Sequence, residues 1–348
     1  NKKDGEVKDV RSGFITATVG DDNKKVMLVT LPVYAKNGEG KGHEKNEKGK
    51  LHLWLTDNTH IVYIGPVSDD DAAASSLLYK SGDKNEQKEE LIALYEKKKD
   101  DEDKPSLGMV SVFLTEQLQR VKEVLATWKK VDDIVSKLCT NSITQDVTSP
   151  DDACTAVRIT DGLVGFLSGN FSDKTWRDEY LGVNATVKVN GGGAAAATGY
   201  ADNGVKFTGA WAEWPVGEQG ENQLYHFANY NFTLVATVSI DKVPEGDTHI
   251  PLMGAKMDGA EDTVLLGLSY NKEKKWQLLC SGGPIKELSS TWEPEETRQL
   301  AIMLQNGTHG SAYVDDQRVG GDVPCELGNK DSKEISHFYI GGDGGAKG

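Results

Sequence analysis

The stretch Gln299-Leu300-Ala301-Ile302-Met303-Leu304, then Asn306-Gly307, then Gly310-Ser311-Ala312-Tyr313-Val314-Asp315, decides the fold. Apolar residues recur at every second position on both sides of an Asn-Gly pair, and a strand sends successive side chains to opposite faces. Asn-Gly accepts the positive φ of a tight turn, so the two runs read as antiparallel neighbours. Upstream, Phe232-Thr233-Leu234-Val235-Ala236-Thr237-Val238, Val264-Leu265-Leu266-Gly267-Leu268 and Trp276-Gln277-Leu278-Leu279 keep the same rhythm. Downstream, Phe338-Tyr339-Ile340-Gly341-Gly342 closes the series. Two packed antiparallel sheets, with alternate residues facing a shared core, account for it.

Residues 1–110 also read as strands, with a different spacing. Gly13–Val19, Val26–Leu31, Leu51–Leu55, His60–Ile64, Ser75–Tyr79 and Leu91–Tyr95 are separated by polar connectors at Lys36–Lys50, Asp69–Asp71 and Lys97–Lys104. Short strands without intervening helices indicate a sandwich, a barrel or propeller blades. Six strands make one and a half blades, so a propeller would be incomplete. Between the β regions lies one helix. Leu114, Leu118, Val121, Leu125, Trp128, Val131, Val135 and Leu138 recur at steps of three and four, with Glu116, Arg120, Lys122, Glu123 and Lys129 opposite. It reads as a connector packed against both β regions; a membrane-surface helix would want more cations. The expected division is 1–110 partial propeller, 111–139 connecting helix, 140–155 linker and 156–348 sandwich.

The chain has 348 residues, enough for two ordinary domains. Lys and Arg total 39 against 54 Asp and Glu, a net charge of −15. Nucleic-acid binding needs a surplus of cations, so it is excluded as a function class. No apolar run is long enough to form a membrane-spanning helix. The opening Asn1-Lys2-Lys3-Asp4, without Met or signal sequence, reads as a fragment or processed product. Four cysteines fall as two nearby pairs, Cys139 with Cys154 and Cys280 with Cys325, and both pairs are expected to be bridged. Glycosylation sequons occur at Asn170, Asn184, Asn231 and Asn306. Together these favour an extracellular or secreted location, against the blander alternative of four reduced thiols in a cytosolic protein.

Other motifs carry no chemistry. Gly191–Gly193 and Gly341–Gly345 lack the Lys-Ser/Thr of a phosphate loop and read as turns. The seven histidines show no HExxH spacing, so neither a metal nor a cofactor is expected. There is no G-x-S-x-G. Asn170–Trp176 has the outline of an aspartate-box hairpin but lacks its central glycine. Trp211, Trp214 and Trp292 are candidates for stacking on sugars or for ordinary sheet packing.

Six further strings point to one family. They are Leu53–Asn58, Ser76–Lys80, Asp161–Ser168, Tyr225–Asn229, Leu265–Tyr270 and Ile335–Gly342. The chain resembles the trans-sialidase superfamily of trypanosome surface glycoproteins, from about residue 13 to the end, and most of all its adhesin-like gp85 branch. The resemblance implies a mainly β protein: the last part of a sialidase-type propeller, a long connecting α-helix, then a concanavalin- or laminin-G-like jelly roll. The strand order of residues 156–348 is similar to such a jelly roll. The resemblance also implies that earlier blades precede this chain and that the family's C-terminal signature follows Gly348.

Active members carry a nucleophilic Tyr just before the Ser-Ser that leads into a Leu-Tyr-Lys strand; here the matching residue is Ala74. By the same resemblance, Glu96 matches the Glu that activates that Tyr. Lys48 stands at the third arginine of the carboxylate clamp, and Asn46 at a substrate-sandwiching Trp. A methyl group has no lone pair, so no covalent intermediate can form at Ala74. Lys48 offers a mobile point charge where an Arg grips a carboxylate bidentately. Tyr79 and Tyr95 are the nearby phenols, and Tyr79 reads as a strand residue. The expectation is a non-catalytic surface glycoprotein that binds host glycans or extracellular-matrix and cell-surface proteins; a longer parent could carry a lipid anchor. The alternative is a sialidase or trans-sialidase fragment acting on terminal sialic acid.

Overall fold

The computed structural model describes residues 12–20, 24–34, 49–82, 88–98, 107–140, 160, 162–189, 196–200, 204–216, 225–245, 249–258, 263–281, 283–321, 325–327 and 334–344. The chain divides into two units, Asn1–Leu163 and Val164–Gly348.

In the first unit β1 (Gly13–Val19), β2 (Lys24–Tyr34), β3 (Gly49–Thr56), β4 (Ile61–Lys80), β5 (Glu90–Lys98) and β6 (Leu107–Phe113) pair in sequence order as one antiparallel sheet. Alternation places Leu28, Leu51, Leu53, Leu55, Leu91 and Ala93 in its core. Asp69–Asp71 is not the connector expected from its charge: it lies inside β4, which runs unbroken through both expected strands. Each carboxylate has a cross-strand partner. Asp69 meets Lys50 Nζ at 2.6 Å, Asp70 meets Lys97 Nζ at 2.6 Å, and Asp71 accepts from Gly49 N at 2.9 Å. Shared by β3 along one half and β5 along the other, β4 joins all six strands into one sheet.

The helix α1 (Thr115–Thr140) follows β6 directly. Its apolar stripe is buried at Leu114, Leu118, Val121, Trp128, Val131 and Val135, whereas Leu125 is half-buried and Val124 lies deeper. Leu114 N donates to Leu91 O at 2.8 Å, which anchors the start of the helix on β5. Trp128 is fully buried, its ring 5.2 Å from that of His60 and 5.0 Å from Lys24 Nζ. His60 faces two acceptors: Nδ1 lies 3.1 Å from Asp57 Oδ1, and Nε2 lies 2.7 Å from Leu163 O. Burial opposes a charge on this ring, but Asp57 and the Leu163 carbonyl prevail and raise its pKa.

The second unit contains β7 (Leu167–Ser172), β8 (Thr175–Asp178), β9 (Ala185–Val189), β10 (Ala196–Tyr200), β11 (Gly204–Thr208), β12 (Ala210–Pro215), β13 (Phe232–Ser239), β14 (His249–Met257), β15 (Val264–Asn271), β16 (Trp276–Cys280), β17 (Lys286–Glu287), β18 (Thr297–Gln305), β19 (His309–Val314), β20 (Gln317–Arg318), β21 (Cys325–Glu326) and β22 (Ile335–Ile340). The larger sheet has the order β17-β16-β15-β14-β22-β12-β9-β8-β7. The smaller has β13-β18-β19-β20, with β21 on β19, and β10-β11 form a separate pair. Asn306 (φ 52°) and Gly307 (φ 69°) turn the β18–β19 hairpin in the left-handed region, as that pair of residues favours. Gly341 and Gly342 leave β22 with positive φ and form a turn.

A buried carboxylate organises one end of this sandwich. Asp178 Oδ1 accepts from Phe166 N at 2.8 Å and Tyr180 N at 3.0 Å. Its Oδ2 accepts from Leu181 N and Val183 N, each at 3.1 Å, and from the Tyr225 hydroxyl at 3.1 Å. Burial pushes the Asp178 pKa up while these donors hold it back, and burial next to Asp178 also raises that of Tyr225.

Candidate functional site

Across β4 and β5, Ala72 pairs with Lys97 and Ser75 with Tyr95, so Ala73 and Ala74 together oppose Glu96. This is a β-bulge, a device that re-aims a side chain out of the pleat. Ala74 and Glu96 are both half-buried there. The structure thus brings together the two residues that the family resemblance pairs. Asn46 and Lys48 lie outside the described residues.

The hydroxyls of Thr30, Ser75, Tyr79 and Tyr95 near the bulge are engaged. Ser75 Oγ lies 2.8 Å from Thr30 Oγ1, and Gly13 N donates to both oxygens at 3.1 Å. A Cβ at Gly13 would stand 2.8 Å from Thr30 Oγ1 and 2.9 Å from Ser76 Cα, so only glycine fits there. Tyr95 donates to Asp70 Oδ2 at 2.6 Å, and burial, then Asp70, raise its pKa. The Asp70 carboxyl is held low by Lys97 and then Tyr95. The Tyr79 hydroxyl reaches Thr18 O at 3.0 Å and Glu89 Oε1 at 3.1 Å, and burial, then Glu89, push its pKa to about 12. A nucleophilic phenol needs a pKa shifted towards neutrality, and both tyrosines move the other way. What remains at the bulge is Ala74, on the strand opposite Glu96.

The tryptophans serve packing. Trp214 is buried, donates to Val183 O at 2.5 Å and meets Tyr225 edge-on. Trp211 donates to Glu213 Oε1 at 3.0 Å and supports the backbone at Gly342 and Gly344. Trp292 donates to Ser290 Oγ at 2.9 Å beneath the Arg298 guanidinium, 4.5 Å from the ring centre.

Cys280 and Cys325 form a disulfide that staples β16 of the larger sheet to β21 on the smaller. Cys154 and the side chain of Cys139 lie outside the described residues. Asn170, Asn184, Asn231 and Asn306 are all exposed. Asn184 Oδ1 accepts from Asp178 N at 3.0 Å, and Asn231 Oδ1 accepts from Asn306 N at 2.9 Å. In each case the carbonyl is engaged and the amide nitrogen, which would carry a glycan, points elsewhere.

Sequence reasoning missed the Asp178 cluster and the pairing of His60 with Asp57. Asp178 stands among polar neighbours in Thr175-Trp176-Arg177-Asp178-Glu179, so its sequence reads as a solvated loop. The sole local signal for His60 is the Asp-x-x-His spacing of Asp57 and His60.

A six-stranded antiparallel sheet, a long helix and a two-sheet sandwich make a mainly β architecture, similar to that of trypanosome sialidases. Residues 159–348 match the family model described as trans-sialidase, C-terminal domain, and residues 1–96 match a BNR repeat-like domain. The chain belongs to the trans-sialidase superfamily. A Trypanosoma cruzi protein named Sialidase is 31% identical over 342 residues, 95% of this chain and 26% of that protein. Sialidase 85-1.1 of Trypanosoma cruzi is 32% identical over 333 residues, 94% of this chain and 38% of that protein. Among solved structures, Trypanosoma rangeli sialidase with the inhibitor DANA is 36% identical with a TM-score of 0.71, covering 97% of this chain and 48% of that one. The same enzyme as its 2,3-difluorosialic acid covalent intermediate gives 36% and 0.71, covering 96% and 48%. The chain spans about half the length of the solved relatives and a smaller share of these two curated ones.

Proposed function

We propose that this chain is part of a non-catalytic glycoprotein on the outer face of the cell, or secreted, that acts in adhesion to host cells or matrix and as a surface antigen. The observation that carries this reading is Ala74. The family resemblance matches Ala74 to the nucleophile position of active members, and Ala74 lies on a bulge opposite Glu96. Removing a nucleophile costs about a thousandfold or more in rate. Tyr79 and Tyr95 are not substitutes, because burial, then the Glu89 and Asp70 carboxylates beside them, raise the pKa of each phenol. The Cys280–Cys325 disulfide and four exposed sequons support the extracellular setting. Its partners would be host glycans or matrix and cell-surface proteins.

The second reading is a sialidase or trans-sialidase fragment, favoured by the names of its relatives. A fluorogenic sialoside assay separates the two. It should be run on the full-length protein, beside an Ala74→Tyr, Lys48→Arg variant. The adhesin reading expects no turnover by the unmodified protein. Turnover by that protein, at a rate comparable to an active relative, refutes it.

A further inference from the structure

The connection from β3 to β4 places a buried histidine between two acceptors. His60 is only 6% exposed, and its ring nitrogens face different partners. Nδ1 lies 3.1 Å and 3.2 Å from the two Asp57 carboxylate oxygens, and Nε2 lies 2.7 Å from Leu163 O. A carboxylate and a carbonyl only accept, so each ring nitrogen needs a proton, and only the imidazolium has both. Leu163 is the last residue of the first unit, 103 positions further along the chain. Its amide donates to Thr160 O at 3.1 Å, so His60 grips a residue that also closes a local turn.

The two acceptors are unequal. Asp57 Oδ1 also accepts from Thr59 N at 3.1 Å and His60 N at 2.8 Å, and Lys24 Nζ of β2 lies 3.2 Å from Oδ2. Burial works against this carboxyl's charge, but the His60 and Lys24 contacts outweigh it and hold it well below the usual carboxylate range. Asp57 therefore stays an anion wherever a histidine titrates. A neutral imidazole keeps one proton, and the anion is the stronger acceptor for it. The proton then sits on Nδ1, and Nε2 turns a lone pair towards the Leu163 oxygen. That contact loses its hydrogen bond and becomes repulsive. Lys24 is the cation acting on the ring; from α1 the Trp128 ring packs at 5.2 Å, flanked by Lys129, exposed, and Asp132, half-buried.

We propose that His60 is a proton-operated latch, holding the Leu163 carbonyl beside the β3–β4 connection when charged and letting it go when neutral. Burial lowers the pKa of the ring, but Asp57 and the carbonyl raise it further, so release falls on the alkaline side of an ordinary histidine. Acid fastens the end of the first unit, and mildly alkaline solution loosens it. The latch goes beyond the adhesion reading and is independent of the fate of Ala74.

The test is an NMR titration of the intact chain from about pH 5.5 to about pH 9. Ring nitrogen shifts report the charge and tautomer of His60. Hydrogen exchange at the Leu163 amide, corrected for its intrinsic pH dependence, reports the hold on that residue. The imidazolium should give way to the Nδ1-protonated ring, with corrected exchange at Leu163 rising about tenfold or more over the same range. The Leu118 amide, bonded to Leu114 O, should change less, which separates local release from general loosening. Asp57→Asn keeps an oxygen for the Thr59 and His60 amides and removes the anion that claims the proton. The neutral ring can then donate from Nε2, so Leu163 should stay protected across the titration. The proposal is overturned by a neutral parent ring protonated on Nε2, or by one still charged at about pH 9. It also fails if Leu163 exchange rises no more than that of Leu118, or if a folded Asp57→Asn chain follows the parent's profile. The parent titration decides alone if that variant does not fold.

Discussion

Asp178→Asn is the perturbation whose cost can be worked most directly from the structure. The carboxylate receives five donors, two on Oδ1 and three on Oδ2. Asparagine offers one acceptor oxygen. In the better orientation it keeps Leu181 N, Val183 N and the Tyr225 hydroxyl, and turns its NH₂ towards Phe166 N and Tyr180 N. Two buried donors left facing a donor cost about 1–3 kcal/mol each, and relief of the buried charge returns part of that. The net loss should be about 3 kcal/mol, or about 6–12 °C in Tm for a unit of this size. Trp214 lies 5.7 Å from Tyr225, so tryptophan fluorescence reports melting of this region. Tyr225→Phe, which removes a single donor, should cost about 1 kcal/mol and sets the scale. An Asp178→Asn protein melting within about 2 °C of the parent would refute the account of a carboxylate held ionised by its donors.

Three further outcomes follow from other residues. His60 has a raised pKa in the folded state, so its contribution is complete below pH 6.5 and is lost as pH rises through the higher folded value. Thermal melts should therefore show the parent losing stability just above that pH, and His60→Gln should flatten the slope; equal slopes would contradict the pairing with Asp57. Replacing Cys280 and Cys325 by serine opens a closure spanning 45 residues and should cost about 4 kcal/mol by chain entropy, measured by urea unfolding of the non-reduced parent and the variant. Gly13→Ala forces a methyl against Thr30 Oγ1 and the Ser76 backbone, and should cost about 1–3 kcal/mol in the same assay, with a neutral result counting against the close approach.

The alternation of Phe232–Val238 and Gln299–Leu304 was enough to read two sheets, because each strand there has one face in the core and one towards water. The helix was equally legible: among the described side chains its stripe differs in the exchange between Leu125 and Val124, since three- and four-residue steps do not follow a 3.6-residue turn indefinitely, and the side chain of Leu138 lies outside the described residues. The hidden parts are those where charge is satisfied by distant partners. Asp69–Asp71 reads as a loop until Lys50, Lys97 and the Gly49 amide are brought alongside it. Ala74 and Glu96 could be matched by resemblance, but the bulge that sets them opposite one another depends on the pairing of β4 with β5. His60 and Leu163 are 103 positions apart in sequence, and nothing local marks them as neighbours.

The bond between Cys280 and Cys325 also bears on how the protein would survive attack by proteases. Any single cut in the chain between the two cysteines leaves its two products covalently joined. That interval includes the whole β18–β19 hairpin and the sequon at Asn306. A nicked molecule would run as one species until a reductant is added. One cleavage in this interval would neither shed the C-terminal strand nor release a free peptide.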